Sequence, residues 1–339
     1  MTFSVAGSSN QLSSVTGALS RTYSYDAAGH TAAYGGVSFT YNAAGRLLTA
    51  VNGSATSSYI YNALGQRVQK VTAAGTTAFV YDESGHLLGE YDGTGNAIQE
   101  IVWLGDTPVA TVRQEACGLS IFYIHTDHLN TPRRITRRST SDVVWSWDSD
   151  PFGTAGPNEN PSGLGSFSFN LRFPGQYYDV ETGLSYNFYR YYDPSVGGYT
   201  QSDPIGLDGG SMSTYSYVND DPLDYIDPEG LAGGAPRRRT RACNSDEQTQ
   251  CEAQCAGKGV RSCKRQQLFA PVRTIDRNGT VLTTWIWKDQ GLSCDCKDPE
   301  ACKNAVKNAA AALGLSVTTY LIISEGSRLF PPRNLVPIP

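Results

Sequence analysis

The chain has 339 residues, 40% of them hydrophobic and 17% charged, with a formal net charge of −5 at pH 7. These values exclude a chain too short or too polar to bury a core, and they allow two or three domains. Residues 1–231 hold 11 Lys and Arg against 23 Asp and Glu, whereas residues 232–339 hold 16 against 9. An acidic body is therefore followed by a basic tail, and we expect the two parts to have different partners.

The body begins with a motif that occurs four times: aromatic, any residue, Tyr, Asp or Asn, two further residues and Gly. Its copies start at residues 23, 39, 59 and 79. Alternating Tyr and β-branched residues indicate strands, and Asp or Asn with a following Gly indicates a turn, so each copy predicts a β-hairpin. Because one hairpin is only marginally stable, the copies are expected to pack side by side.

Three later stretches, "YIHTDHLNTPRRIT" (123–136), "VVWSWDSDPFG" (143–153) and "FPGQYYDVETGLSYNFYRYYDPSVGGYTQSDPIGL" (173–207), continue the body. With the repeats they resemble the Rhs/YD-repeat family over roughly residues 20–231. The resemblance implies a mainly β fold: YD-repeat hairpins form part of a spiral β-shell, the Rhs-associated core plugs one end, and a variable toxin domain follows. Four repeats are too few to enclose a domain, so we expect the C-terminal end of a longer protein or a displaced module.

The domains predicted on this basis follow the change in composition near residue 231. They are YD-repeat hairpins at 1–115, the Rhs-associated core at 116–231, a basic linker at 232–242 and a small cysteine-rich α+β domain at 243–339. The linker arginines could contact nucleic acid or acidic lipid, or could simply be solvated. The tyrosines of the core are predicted to pack in strands, with carbohydrate binding as the alternative: Tyr177, Tyr178, Tyr186, Tyr189, Tyr191, Tyr192 and Tyr199.

Two Asp-Pro-x-Gly turns, opened by Asp203 and Asp227, close the core. They could be turns alone, but the resemblance implies an aspartyl self-protease with these two residues as its dyad and Leu231–Ala232 as the cleaved bond. Two close carboxylates cannot both ionise easily, so one can act as acid and the other as base. The family usually has Arg where this chain has Gly198, which leaves open whether cleavage occurs.

The tail contains seven of the eight cysteines: Cys243, Cys251, Cys255, Cys263, Cys294, Cys296 and Cys302. A polar helix that ends at Gly257 and a hairpin at 272–290, turning at Asn278-Gly279, are predicted. The cysteines are expected to form disulfides. Zinc held by Cys251, Cys255, Cys294 and Cys296, or by Cys302, is the alternative, and unpaired thiols are a third. No other cofactor is predicted.

The tail has no His, which excludes a His-dependent nuclease or a Cys-His peptidase acting alone. An apolar stretch at 309–323 is short for a membrane span, so a buried element and a membrane-active segment both stay open. A helix leading into a β-rich run and an extended end are expected after residue 302.

The function predicted from these features is the C-terminal part of an Rhs-family polymorphic toxin, used in competition between bacteria. The β-shell would present or sheathe the toxin domain. Self-cleavage is the enzymatic activity that the resemblance suggests, whether it occurs stays open, and the activity of the C-terminal domain cannot be read from the sequence. The start of the chain lacks a signal peptide, so a type VI or similar system would export it from the cytoplasm. The expected partners are that machinery, an immunity protein and a membrane or nucleic-acid target. The alternative is a cell-surface or carbohydrate-binding repeat protein with a stapled structural tail.

Overall fold

The computed structural model describes residues 1–115, 118–234, 237–255, 259–275 and 281–296. It forms two compact units. The first comprises Met1–Ile101 and Pro108–Ala235, and the second comprises Val102–Thr107 and the chain from Pro236 onward.

A single antiparallel sheet of fifteen strands follows the order of the sequence, each strand pairing with the next. The strands are β1 (Thr2–Val5), β2 (Leu12–Thr16), β3 (Arg21–Tyr25), β4 (Thr31–Tyr34), β5 (Val37–Tyr41), β6 (Leu47–Asn52), β7 (Ala55–Tyr61), β8 (Arg67–Thr72), β9 (Gly75–Tyr81), β10 (Leu87–Asp92), β11 (Ala97–Leu104), β12 (Thr107–Glu115), β13 (Gly118–Thr126), β14 (Pro132–Arg137) and β15 (Val143–Ser146). The mainly β fold and the four predicted hairpins, which begin at β3, β5, β7 and β9, are confirmed.

The repeated motif works through its Asp or Asn side chain. In the second copy, Asn42 Oδ1 accepts hydrogen bonds from the amides of Ala44 and Arg46 at 2.9 and 3.0 Å. Gly45 then turns the chain at a φ of +71°, which an L-residue rarely adopts. Asp92 and Asp127 form the same turn, in which the side chain accepts from the amides two and four residues later, although neither belongs to a copy of the full motif. The turn is therefore more widespread than the full motif.

The motif's Tyr joins each hairpin to the one before it. Its hydroxyl donates to a backbone carbonyl of the preceding hairpin, as Tyr61 does to Leu47 at 2.8 Å and Tyr81 does to Arg67 at 3.0 Å. The first aromatic of the motif is buried in the copies that start at Phe39, Tyr59 and Phe79. Stacking of hairpins thus satisfies both the ring and the hydroxyl, as an amphipathic aromatic requires.

A second antiparallel sheet belongs to the core segment. It consists of β16 (Tyr177–Asp179), β17 (Leu184–Asn187), β18 (Arg190–Asp193) and β19 (Gly198–Tyr199), and two short 3-10 turns follow at Gly206–Gly209 and Val218–Asp220. Every residue of β17 and β18 is buried. Six of the seven tyrosines expected in strands lie in them, whereas Tyr189 lies in the turn between β17 and β18. Five of the seven are buried and two are half-buried, which supports their packing role. They do not form an exposed aromatic surface.

A buried charge cluster fastens the second sheet to the repeat hairpins. Arg67, at the start of β8, donates to both carboxylate oxygens of Asp179 on β16, and both residues are 0% exposed. Lys70 Nζ adds a contact of 3.0 Å to the same carboxylate. The Arg67 guanidinium also lies 4.5 Å from the ring centroid of Tyr186. Charges buried this deeply persist only when they are fully paired.

The second unit contains β20 (Arg237–Ala242), α1 (Ser245–Gln254), β21 (Val260–Ile275) and β22 (Val281–Cys296), with strand order β20-β21-β22. The predicted helix and hairpin are therefore confirmed, although α1 ends at Gln254 and the expected end and turn at 256–258 and 276–280 lie outside the described residues. Asn244 caps α1 by accepting from the Glu247 amide at 2.9 Å, and the Glu247 side chain completes a capping box.

The segment expected to be a linker is partly a strand. Residues 237–242 pair with β21 along their whole length. Arg241 is neutralised rather than free, since it donates to Glu247 at 2.8 Å. Cys117, Cys302, the apolar stretch at 309–323 and the expected extended end lie outside the described residues. In the part of the chain that the structure describes, no helix combines the length and the apolar character needed to cross a membrane.

Candidate active site

The structure brings Asp203 and Asp227 together around one guanidinium. Arg190 Nη2, from β18, lies 3.0 Å from Asp203 Oδ2 and 3.1 Å from Asp227 Oδ2. The two aspartates are 9% and 2% exposed. Two carboxylates 24 positions apart in sequence thus share a single buried cation, and all three groups lie within the first unit.

Asp227 faces the Leu231–Ala232 bond, which is the predicted site of cleavage. Backbone bonds between Ile226 and Gly234 close a loop around it, with N···O distances of 3.1 and 2.9 Å. Inside this loop Asp227 Oδ1 accepts from the amides of Leu231 and Ala232 at 3.0 and 3.2 Å. The Ala232 nitrogen is the leaving atom of the Leu231–Ala232 bond, so this carboxylate contacts one of the reacting atoms of that cleavage.

Asp203 approaches the same peptide from its carbonyl side. A Cβ added to Gly209 would lie 2.7 Å from Asp203 Oδ2 and 2.6 Å from the Leu231 carbonyl oxygen. The Asp203 Oδ2 and Leu231 carbonyl oxygens therefore border the same small space next to Gly209. A side chain at position 209 would fill that space. The other oxygen, Asp203 Oδ1, accepts from the Ile205 amide at 2.9 Å, which is the turn expected of an Asp-Pro-x-Gly sequence.

The surroundings of Asp203 favour the protonated form of its carboxyl group, which a proton donor needs. Burial raises the pKa of the Asp203 carboxyl to about 6, even though the Arg190 guanidinium and the Ile205 amide act in the opposite direction. Nearby Asp227 raises the pKa of Asp203 further. A carboxyl with such a pKa is partly protonated near neutral pH and can donate a proton.

The sequence did not identify three residues that surround the two aspartates at the candidate site. Tyr199 donates its hydroxyl to Asp227 Oδ2 at 2.8 Å, and Asn187 Nδ2 contacts the Tyr199 hydroxyl at 2.7 Å and the Asp227 carbonyl at 2.9 Å. Arg190 also donates from Nε to the Gly230 carbonyl at 2.6 Å. A signal for Arg190 existed, because it is a charged residue within the aromatic run "NFYRYY".

Arg190 places a cation beside both aspartates although position 198 is a glycine. Glycine replaces the family's arginine at position 198, which is why cleavage itself stays a prediction. In the structure the guanidinium comes from Arg190, whose Cζ lies 3.6 Å from the ring centroid of Tyr199. A Cβ at position 198 would lie 3.1 Å from the Tyr215 carbonyl oxygen, so the backbone is already closely packed there.

The cysteines of the second unit form disulfides. Cys243 is bonded to Cys263 and Cys251 to Cys294, and Cys255 is also disulfide-bonded. The zinc alternative named Cys251, Cys255, Cys294 and Cys296. Three of these are oxidised here and are not thiolates, the form in which cysteine binds zinc. The side chain of Cys296 lies outside the described residues.

The family model described as Teneurin YD-shell matches residues 8–218, more than half of the chain. The chain belongs to the Teneurin YD-shell family. This confirms the resemblance to Rhs/YD-repeat proteins. The YD-shell match includes Asp203 and Arg190 and ends before Asp227 and the cysteine-rich tail.

Curated relatives of this YD-shell chain include bacterial toxins. It is 39% identical over 113 residues to the double-stranded DNA deaminase toxin A of Burkholderia cenocepacia, which covers 33% of the chain and 8% of the relative. It is 39% identical over 111 residues to the toxin protein Tse5 of Pseudomonas aeruginosa, with the same two coverages. The matched part is thus less than a tenth of either relative. These relatives favour the toxin prediction over the carbohydrate-binding alternative.

A solved structure supports the fold. The crystal structure of TcdB2-TccC3 aligns with a TM-score of 0.50 and 22% identity, over 68% of this chain and 12% of that one. At this identity the match concerns the fold alone, and it agrees with a YD-shell arrangement of the hairpins.

Proposed function

We propose that this chain is the C-terminal part of an Rhs-family polymorphic toxin that cuts itself between Leu231 and Ala232 and so releases its tail. The observation that carries the proposal is that two buried carboxylates lie next to that peptide, one near its nitrogen and one near its carbonyl oxygen. Asp227 Oδ1 lies 3.2 Å from the Ala232 nitrogen, and Asp203 shares the space beside Gly209 with the Leu231 carbonyl oxygen.

The chemistry is a hydrolysis by general acid and base. Protonated Asp203 donates toward the Leu231 carbonyl oxygen, and Asp227 takes a proton from a water molecule whose oxygen attacks the carbonyl carbon. The resulting tetrahedral centre collapses when the bond to the Ala232 nitrogen breaks. Asp227 returns its proton to that nitrogen, so the products are a carboxylate at Leu231 and a free amine at Ala232.

Arg190 is the positioning residue of this reaction. Its contacts to both aspartates offset the repulsion between two buried carboxylates, and its bond to the Gly230 carbonyl fixes the chain next to the scissile peptide. Tyr199 donates to the same Asp227 oxygen that Arg190 contacts, and Asn187 donates to the Asp227 carbonyl. Preorganised neighbours of this kind reduce the rearrangement needed during the reaction.

The released tail is the toxic part in this proposal. It carries 16 basic against 9 acidic residues, which suits an anionic target such as nucleic acid or a membrane surface. Its partners would be an immunity protein in the producing cell and a secretion machinery such as a type VI system. The body presents the tail until cleavage.

Expression of residues 232–339 in a bacterium tests the toxic role. We expect growth arrest when the tail is made in the cytoplasm or sent to the periplasm, while residues 1–231 at the same level leave growth unchanged. Colony counts after induction measure the effect, and immunoblots confirm equal amounts. Harmless accumulation of the tail in both compartments would contradict the toxic role and leave the cleavage proposal to its own tests.

A further inference from the structure

Three cysteine sulfurs of the second unit form one cluster although they come from different parts of the fold, and a fourth is bonded to one of the three. Cys243 follows β20, Cys251 lies on α1, Cys263 on β21 and Cys294 on β22. The Sγ atoms of Cys243, Cys251 and Cys263 all lie within 4.8 Å of one another. Cys294 completes the group through its bond to Cys251.

Secondary structure, rather than the disulfides alone, brings these residues together. Cys263 and Cys294 are directly paired across β21 and β22. Cys243 comes just after Ala242, which pairs with Lys264 next to Cys263. Directly opposed residues of antiparallel strands have Cβ atoms about 4.5–5.5 Å apart, so side chains there meet without a covalent link.

The helix supplies the fourth sulfur and covers the group. Cys251 is 0% exposed, and the capping box fixes the start of α1. Glu247, in the first turn, also accepts from Arg265 Nε on β21 at 2.8 Å, which ties the helix to the sheet beside Cys263. Strand pairing, the helix cap and the Arg265–Glu247 contact therefore hold the cysteine-bearing segments together in addition to the disulfides.

The two disulfides are themselves neighbours. Cys251 Sγ lies 2.9 Å from Cys263 Sγ, although each is bonded to a different cysteine. Three close sulfurs and a fourth bonded to one of them supply four cysteine ligands, the number that a structural tetrahedral zinc site uses.

We propose that the reduced tail binds one zinc ion through Cys243, Cys251, Cys263 and Cys294. A cytosolic thiol such as glutathione gives two electrons to each disulfide and is itself oxidised to a disulfide, which leaves four protein thiols. Zinc then displaces the four thiol protons and binds four thiolates. The same cluster would close the tail by disulfides outside the cell and by zinc in a reducing cytoplasm. This inference is independent of self-cleavage.

The proposed set differs from the sequence-based zinc alternative in two positions. Cys243 and Cys263 replace Cys255 and Cys296, because the pairing of β20, β21 and β22 determines which sulfurs meet. Cys255 and Cys294 both lie outside the group of three close sulfurs, but Cys294 is bonded to one of its members and Cys255 is not. Serine variants of the two sets therefore give opposite results.

The test measures zinc bound to the full chain after reduction with a phosphine, removal of free metal and addition of zinc alone. We expect about one zinc ion per chain, and cobalt in its place should give the visible absorption of tetrahedral thiolate coordination. The double variant Cys243→Ser/Cys263→Ser should lose this equivalent. It keeps the Cys251–Cys294 disulfide, so its folding can be verified in the oxidised state before reduction.

The variant Cys255→Ser is the matched control and should keep its zinc. The proposal is overturned if the reduced wild-type chain binds no stoichiometric zinc. It is also overturned if the folded double variant retains zinc, or if Cys255→Ser loses it while the double variant does not. The last result would restore the set suggested by the sequence.

Discussion

An Asp227→Asn chain should remain whole under conditions in which the wild-type chain separates after Leu231. General acid and base assistance typically contributes about 10²- to 10⁴-fold to a rate, so the variant's cleavage should slow by at least roughly 10²-fold. The substitution removes the base that contacts the Ala232 nitrogen and leaves Arg190 with one carboxylate partner. Electrophoresis of the purified variant over several days measures the remaining cleavage.

The fold should tolerate this change. An asparagine at position 227 has the same size, and its carbonyl oxygen can still accept from the amides of Leu231 and Ala232. Asp224→Asn is the matched control, because Asp224 is an exposed aspartate in the same segment and should leave cleavage unchanged. Cleavage of Asp227→Asn at the wild-type rate would mean that the carboxylates serve only as turn residues.

Arg67→Met should lower the free energy of unfolding by about 3–5 kcal/mol. The substitution keeps an apolar stem but leaves Asp179, which is 0% exposed, with Lys70 as its remaining cation. Removing one partner of a buried ion pair costs this much because an incompletely compensated charge stays in the interior. The shift in the denaturant midpoint, read by tyrosine and tryptophan fluorescence, measures the loss.

Arg134→Met provides the comparison for that variant. Arg134 pairs with Asp148 at 2.8 Å on the surface, where their side chains are 40% and 75% exposed. Solvent screens such pairs, so the loss should be below about 1 kcal/mol. Equal midpoint shifts for the two variants would show that the Arg67 cluster does not fasten the second sheet.

The repeat hairpins could be predicted from the sequence because strand alternation and turn chemistry are local. The turns at Asp92 and Asp127 were not predicted from the sequence, because other residues occupy some positions of the motif there. Gly89 stands where the first aromatic would be, and Asn130 takes the position of the turn glycine at a φ of +70°. Asparagine tolerates this conformation better than most residues.

The candidate site was only partly predictable. Asp203 and Asp227 each open a linear Asp-Pro-x-Gly motif, and the resemblance to the Rhs/YD-repeat family pointed to them and to the Leu231–Ala232 peptide. Arg190 stands out in the sequence as a charged residue in an aromatic run, but its role depends on where β18 faces relative to a loop about forty residues later. Residues 237–242 gave no strand pattern, and pairing with β21 decided their structure. The same pairing selects the cysteines that cluster.

Self-cleavage is tested most directly by the mass and N-terminal sequence of products from the purified, folded wild-type chain at pH 5 and pH 8. Self-cleavage after Leu231 should give two products, the body ending at Leu231 and the tail beginning at Ala232. Because the pKa of Asp203 is raised to about 6, its acid form is present at pH 5 and is lost as the pH rises through 6, so cleavage should be roughly 10²-fold slower at pH 8. A chain that stays whole for days at both pH values, while circular dichroism shows it folded, would contradict self-cleavage by Asp203 and Asp227.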